Sequence, residues 1–128
     1  MILNFLKGFS VNGKRIETDF ENKILKGEKL HTVRGDSMKR WKAGVKIHFC
    51  TGAQSSRYKC FKESICKGVQ EIEIIDRDIY IDGAMLKDVD VQDFAINDGF
   101  DDLDCFWAWF DQYTPFEGRV IHWSDIRY

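Results

Sequence analysis

The chain has 128 residues, of which 44% are hydrophobic, 14% aromatic and 31% charged, with a formal net charge of −2. That is enough apolar mass for a buried core, and it excludes a disordered chain, which is poor in apolar residues and one-sided in charge. The slight acidity also excludes a protein that grips nucleic acid by phosphate contacts over its whole surface. Charge is nevertheless uneven along the chain. From Lys23 to Lys67 twelve Lys or Arg stand against Glu28, Asp36 and Glu63, whereas from Glu71 to Asp111 the only bases are Arg77 and Lys87. A basic half and an acidic half predict a two-faced molecule whose basic face suits an anionic partner.

In chain order, Ile2 to Leu6 reads as a first strand. Thr18 to Lys26 reads as a helix with Phe20, Ile24 and Leu25 on one face, stopped by Gly27 as a C-cap. Leu30 to Arg34 is a short strand that leaves that stop at once. Asp36 to Trp41 is a polar turn or one-turn helix, closed by Lys42-Ala43-Gly44, and Val45 to Cys50 alternates apolar and polar as a half-buried strand does. Arg57 to Phe61 and Gly68 to Ile75 are further strands. Ile79-Tyr80-Ile81 turns at Asp82-Gly83 into Ala84 to Leu86, a hairpin signal. Asp90 to Asn97 and Asp101 to Gln112 are helices, the second with Leu103, Phe106, Trp107 and Phe110 in an apolar stripe. Arg119 to Trp123 closes the series as a strand. Pro115 is the one proline and no flexible linker divides the chain, so a single domain over 1–128 is expected. The order predicts an α+β fold, mainly β, with mostly antiparallel strands forming a small barrel, one early helix and two late helices.

Cys50, Cys60, Cys66 and Cys105 form no C-x-x-C pair. The first residues lack a charged secretory n-region, and no apolar run approaches the roughly 18 residues of a membrane span. These features predict reduced thiols, no membrane and a cytoplasmic setting. His48, Cys60 and Cys66 do not have the spacing of a zinc site, so neither metal nor other cofactor is expected.

The stretch Ile24 to Arg34 carries the most chemistry, with Lys29, His31, Thr32 and Arg34 within six residues. Strand alternation sends residues 30, 32 and 34 to one side and 29, 31 and 33 to the other. Lys29 joins Thr32 and Arg34 only where the backbone is still turning into the strand. The run I-L-x-G-x-K-x-x-T-x-R here resembles the signature of the ASCH domain family. Further matches follow in the family's order: Trp41 to His48, Thr51-Gly52, Ala95 to Phe100 before an aromatic helix, and Val120 to Trp123. Together they cover nearly the whole chain.

The resemblance implies a PUA-like pseudo-barrel with a cleft for RNA, a nucleotide or a modified nucleoside. It is similar, more distantly, to compact bacterial amidohydrolases that remove the acyl group from acetylated cytidine with a lysine base, a threonine nucleophile and an assisting glutamate. The lysine and threonine fall on Lys29 and Thr32. The acid falls near Asp98, across a variable stretch and one methylene shorter.

A threonine hydroxyl needs a neighbour to take its proton, and lysine does so only if desolvation or a cation such as Arg34 lowers its pKa. Asp98 pulls the other way. The segment Thr51 to Lys67 departs from the compact hydrolases, and its Arg57 and Lys59 suit phosphate while Tyr58 suits a stacked base. Trp41, among Lys39, Arg40 and Lys42, is a second stacking candidate. Two main readings stand at this point: recognition of RNA or a nucleotide in a basic cleft by Arg34, Trp41, Arg57, Tyr58 and Lys59, or hydrolysis by Lys29, Thr32 and Asp98. A third, a protein-interaction role, has the acidic half for its surface.

Overall fold

The computed structural model describes residues 1–128 and is a mixed α+β fold made mainly of strands. Strand β1 (Ile2–Asn4) lies parallel to β5 (Lys46–Thr51), which pairs antiparallel with β6 (Lys59–Ile65). A hairpin of β2 (Gly8–Val11) and β3 (Lys14–Glu17) stands by itself. The third sheet has the order β4 (His31–Arg34), β10 (Phe116–His122), β7 (Gly68–Ile75), β8 (Asp78–Ile81), β9 (Ala84–Met85), antiparallel throughout. The helices are α1 (Phe20–Leu25), α2 (Asp88–Asn97) and α3 (Leu103–Phe110), the last running into a 3-10 turn at Asp111–Tyr113. The strands form three separate sheets, with no continuous ladder closing them into a barrel.

The expected helix from Thr18 shortens to Phe20–Leu25 because Asp19 stands at φ 54°, outside helical space. Its stop at Gly27 holds, with φ +77°. The Asp82-Gly83 hairpin also holds, at φ 50° and 85°. The β2–β3 hairpin has no counterpart in the expected elements. Its turn, Asn12-Gly13 at φ 52° and 74°, is a dipeptide that takes two left-handed residues at little cost.

Strand β10 organises the interior. Paired on both edges, it sends Val120 into one core and Ile121 into another, both without solvent exposure. The first core packs Ile72, Ile74, Ile79 and Ile81 under Phe94, Phe106 and Phe110 of the late helices. The second packs Leu3, Ile47 and Phe49 of the three-stranded sheet against Ile24, Trp41 and Trp123. Each fully buried aromatic or aliphatic side chain contributes about 1.5–3 kcal/mol. Phe20 packs against both cores, so the N-terminal end of α1 marks the seam between them.

Two expectations are corrected here. Cys50 and Cys60, adjacent across β5 and β6 with Cα atoms 4.1 Å apart, form a disulfide, so free thiols remain only at Cys66 and Cys105. The cause is a bulge between Phe49 and Cys50 that shifts the register and sets the two cysteines opposite each other. A disulfide belongs with oxidising surroundings, so the cysteines no longer argue for a reducing compartment. Trp41 is 6% exposed, because its ring fills the second core instead of facing a ligand. No helix is long and apolar enough to cross a membrane.

Candidate functional site

At the seam between the cores lies a pocket of about 140 Å³. Its polar wall is made by Asn4, Thr18, Lys29, Thr32, Arg34 and Asp98, and its apolar wall includes Phe9, Phe20, Phe100 and Trp109. A cavity of about 150 Å³ accepts one benzene-sized molecule, which sets the scale as a single ring.

Lys29 is fixed by three neighbouring elements. Its amide donates to Lys23 O at the end of α1 (3.0 Å), and its carbonyl accepts from Trp123 Nε1 (3.1 Å). The next amide, Leu30 N, donates to Asn97 O at the end of α2 (2.8 Å). Lys29 therefore precedes β4 proper, in the turning backbone where alternation does not apply, and its side chain joins those of Thr32 and Arg34 on the pocket wall. The stem passes against Gly99, whose φ is +95° and whose missing Cβ would stand 2.8 Å from Lys29 Cδ.

The ammonium is 1% exposed. It donates to the Asp98 carbonyl, stands 3.6 Å from Asp98 Oδ1 and lies 4.4 Å from the Phe20 ring centroid. Burial is the largest influence on its pKa, which falls to about 8; Asp98 opposes the fall, while Arg34 and Lys23 add to it.

Asp98 caps the C-terminal end of α2 and is 2% exposed. Its Oδ1 is 2.9 Å from His31 Nδ1. Arg34 Nη2 donates to Asn4 O (2.8 Å), its Nε lies 3.5 Å from Thr32 Oγ1, and its guanidinium lies 5.1 Å from the Phe5 ring centroid. Burial draws the Arg34 pKa below its ordinary value, with Asp98 opposing. The wall thus carries two cations against one carboxylate in a nearly dry setting, where polar interactions are stronger than in water. No three His, Cys, Asp or Glu side chains converge as a metal cage.

Lys29, Thr32, Arg34 and Asp98, separated by up to 69 positions, therefore meet in one pocket. Trp41, Arg57, Tyr58 and Lys59 do not join them. Arg57 and Tyr58 occupy the exposed turn before β6, with the Tyr58 hydroxyl 3.5 Å from Cys50 Sγ and 3.2 Å from Cys60 Sγ. Lys59 pairs with Glu21 at 3.2 Å, beside a wider depression where Lys7 and Lys59 face Glu17, Asp19 and Glu21. Such a lining gives phosphate no net attraction.

Asn4 and His31 were not among the expected site residues. For His31 alternation gave no pointer, because it sets residue 31 on the strand face opposite Thr32 and Arg34. Asn4 reaches the site through the β1–β5 pairing, which nothing local announces. No family model, curated protein or solved structure matches this chain.

Proposed function

We propose that this pocket takes one nucleobase-sized group and that the chain is an ASCH-type, PUA-like amidohydrolase acting on an acylated nucleoside. The observation that carries the reading is the meeting of a dry lysine with a threonine hydroxyl and a carboxylate on one wall of a ring-sized cavity. With a pKa of about 8, roughly a tenth of Lys29 is neutral at pH 7, which suffices for a general base.

The steps balance without a further reagent. Neutral Lys29 takes the Thr32 proton as Oγ1 attacks the acyl carbon, and Arg34 faces the oxyanion that forms. On collapse the Lys29 ammonium returns that proton to the departing exocyclic amine, leaving an ester on Thr32. Water then adds to the ester, with its proton taken by Lys29 or Asp98. The carboxylic acid leaves and the hydroxyl is restored.

Hydrolysis of N4-acetylcytidine by the purified chain, followed by the change in ultraviolet absorbance, tests this. Lys29→Met and Thr32→Ala should each lower kcat by about 10²–10⁴-fold while circular dichroism stays that of the wild type. Equal rates in wild type and both variants would sink the reading.

A second reading, recognition of a nucleotide or RNA end without turnover, is favoured by the surplus of buried positive charge on the wall. In that case cytidine ligands quench Trp109 fluorescence, the quenching falls with Arg34→Ala, and no product forms.

A further inference from the structure

Outside the pocket lining, three buried or half-buried polar groups connect to Asp98 and have no part in the steps above: His31, Tyr128 and Asn97. His31 is without solvent exposure. Its Nδ1 is 2.9 Å from Asp98 Oδ1 and its Nε2 is 2.6 Å from the Tyr128 hydroxyl, which accepts from Asn97 Nδ2 at 3.1 Å.

The donors can be assigned from chemistry. A carboxylate oxygen only accepts, so Nδ1 carries a hydrogen toward Asp98; in a neutral ring Nε2 then accepts from the Tyr128 hydroxyl, whose oxygen accepts from the Asn97 amide nitrogen. Burial raises the Tyr128 pKa, so its hydroxyl hydrogen stays in place. Nε2 is therefore bare, and the ring hydrogen lies on Nδ1, donated to Asp98. Burial also lowers the His31 pKa, with Asp98 opposing and Lys29 adding, so the ring is neutral. The groups that face His31 are Asp98, Tyr128, Lys29 and the His122 ring 5.2 Å away. Those that face Lys29 are Asp98, Arg34 and Lys23.

We propose that His31 is a positioning residue: locked as the Nδ1–H tautomer by Tyr128 and Asn97, it holds Asp98 Oδ1 at 2.9 Å and so keeps the carboxylate from a close ion pair with Lys29, whose Nζ stands 3.6 Å from the same oxygen. The inference rests on the reading of Lys29 as the base. Without the His31 donor, Asp98 turns its full charge to the ammonium and Lys29 gives up its proton less readily.

The test is the side-chain NMR titration of Lys29 in the isotope-labelled full chain, its resonance assigned by its loss in Lys29→Met, with pH–rate profiles recorded alongside. His31→Leu removes the donor, and Tyr128→Phe removes the lock on the tautomer. In both, the Lys29 inflection should move up by about one unit from the wild-type value. His31→Asn, whose amide places an N–H where Nδ1–H stood, should keep the wild-type inflection.

Unmoved inflections in His31→Leu and Tyr128→Phe overturn the proposal, and so does a His31→Asn shift as large as that of His31→Leu. If His31→Leu does not fold, Tyr128→Phe decides by the same criterion. The titration needs no turnover, so the two claims separate. Shifted inflections with no hydrolysis retain the positioning role and sink the hydrolase reading; hydrolysis with unmoved inflections does the reverse.

Discussion

Gly99 is the position where one methyl group tests the geometry of the pocket. A Cβ there would stand 2.8 Å from Lys29 Cδ, 3.0 Å from Cγ and 3.1 Å from Cβ. These are atoms of the stem near the backbone, on a side chain whose two ends are held by the hydrogen bonds described above, so it has little room to give. Gly99→Ala therefore adds two penalties. Placing a side chain at φ +95° costs about 1–2 kcal/mol, and crowding a packed site costs about 1–3 kcal/mol more. Gly83 is the control. It has φ +85° with nothing within 4 Å, so Gly83→Ala carries the strain without the crowding. In urea, with slopes of roughly 1–3 kcal/mol per molar, Gly99→Ala should unfold about 0.5–1.5 M earlier than Gly83→Ala. Hydrolysis should fall in the first and persist in the second. Equal midpoints for the two variants would refute the claim that Gly99 exists to let Lys29 pass.

The pKa of Lys29 falls on folding from 10.5 to about 8, so between those values the unfolded chain binds the extra proton and stability rises with pH. The rise is on the order of 3 kcal/mol, and Lys29→Met should remove it from urea midpoints taken between pH 8 and 9.5. Above pH 10 the raised Tyr128 pKa acts in the opposite direction, because there the folded chain holds the proton. On the acid side, the His122 pKa falls from 6.5 to about 3, chiefly through burial, so stability declines as pH drops through that window. Urea midpoints at pH 6.5, 5 and 4 should decline less steeply in His122→Gln. Reducing the Cys50–Cys60 bridge reopens a loop of sequence separation 10 and should cost about 2–3 kcal/mol. A thiol titration in denaturant should count two free sulfhydryls before reduction and four after, and four at the outset would refute the pairing.

The strands and helices with strong periodicity were legible in the sequence, from Val45–Cys50 through the aromatic stripe of α3. So was the Lys29–Thr32–Arg34 cluster, because it is local: a glycine stop, a turning residue and a strand start put the three side chains on one wall. Asp98 depended on the resemblance, since its contact with Lys29 spans 69 positions and no local pattern encodes it. The β2–β3 hairpin was missed although Asn12-Gly13 is a strong turn signal; Lys14, Arg15 and Glu17 give β3 too little apolar character to read as a strand. Trp41 was misplaced because its basic neighbours suggested a surface, yet Asp36 caps the turn by accepting from the Trp41 amide (3.0 Å) while the ring goes inward. The Cys50–Cys60 pairing turns on a one-residue bulge, which alternation alone does not reveal.

The uneven charge has a different meaning in three dimensions from the one it has along the chain. Lys23 pairs with Asp101 and Lys67 with Asp125, each joining the basic half to an acid beyond residue 97. Arg119, from the far end, returns to Asp36 and Glu71. The exposed pairs contribute little stability individually, about 0–1 kcal/mol each. Their effect on the outer surface is larger, because positive charge spent on an internal partner is not offered to an external one. Inside the fold a surplus remains at the seam: Lys29 and Arg34 against Asp98, walled by aromatic rings. On the reading proposed above, selectivity resides in this pocket, where a ligand is sorted by what it presents to Lys29, Thr32 and Arg34.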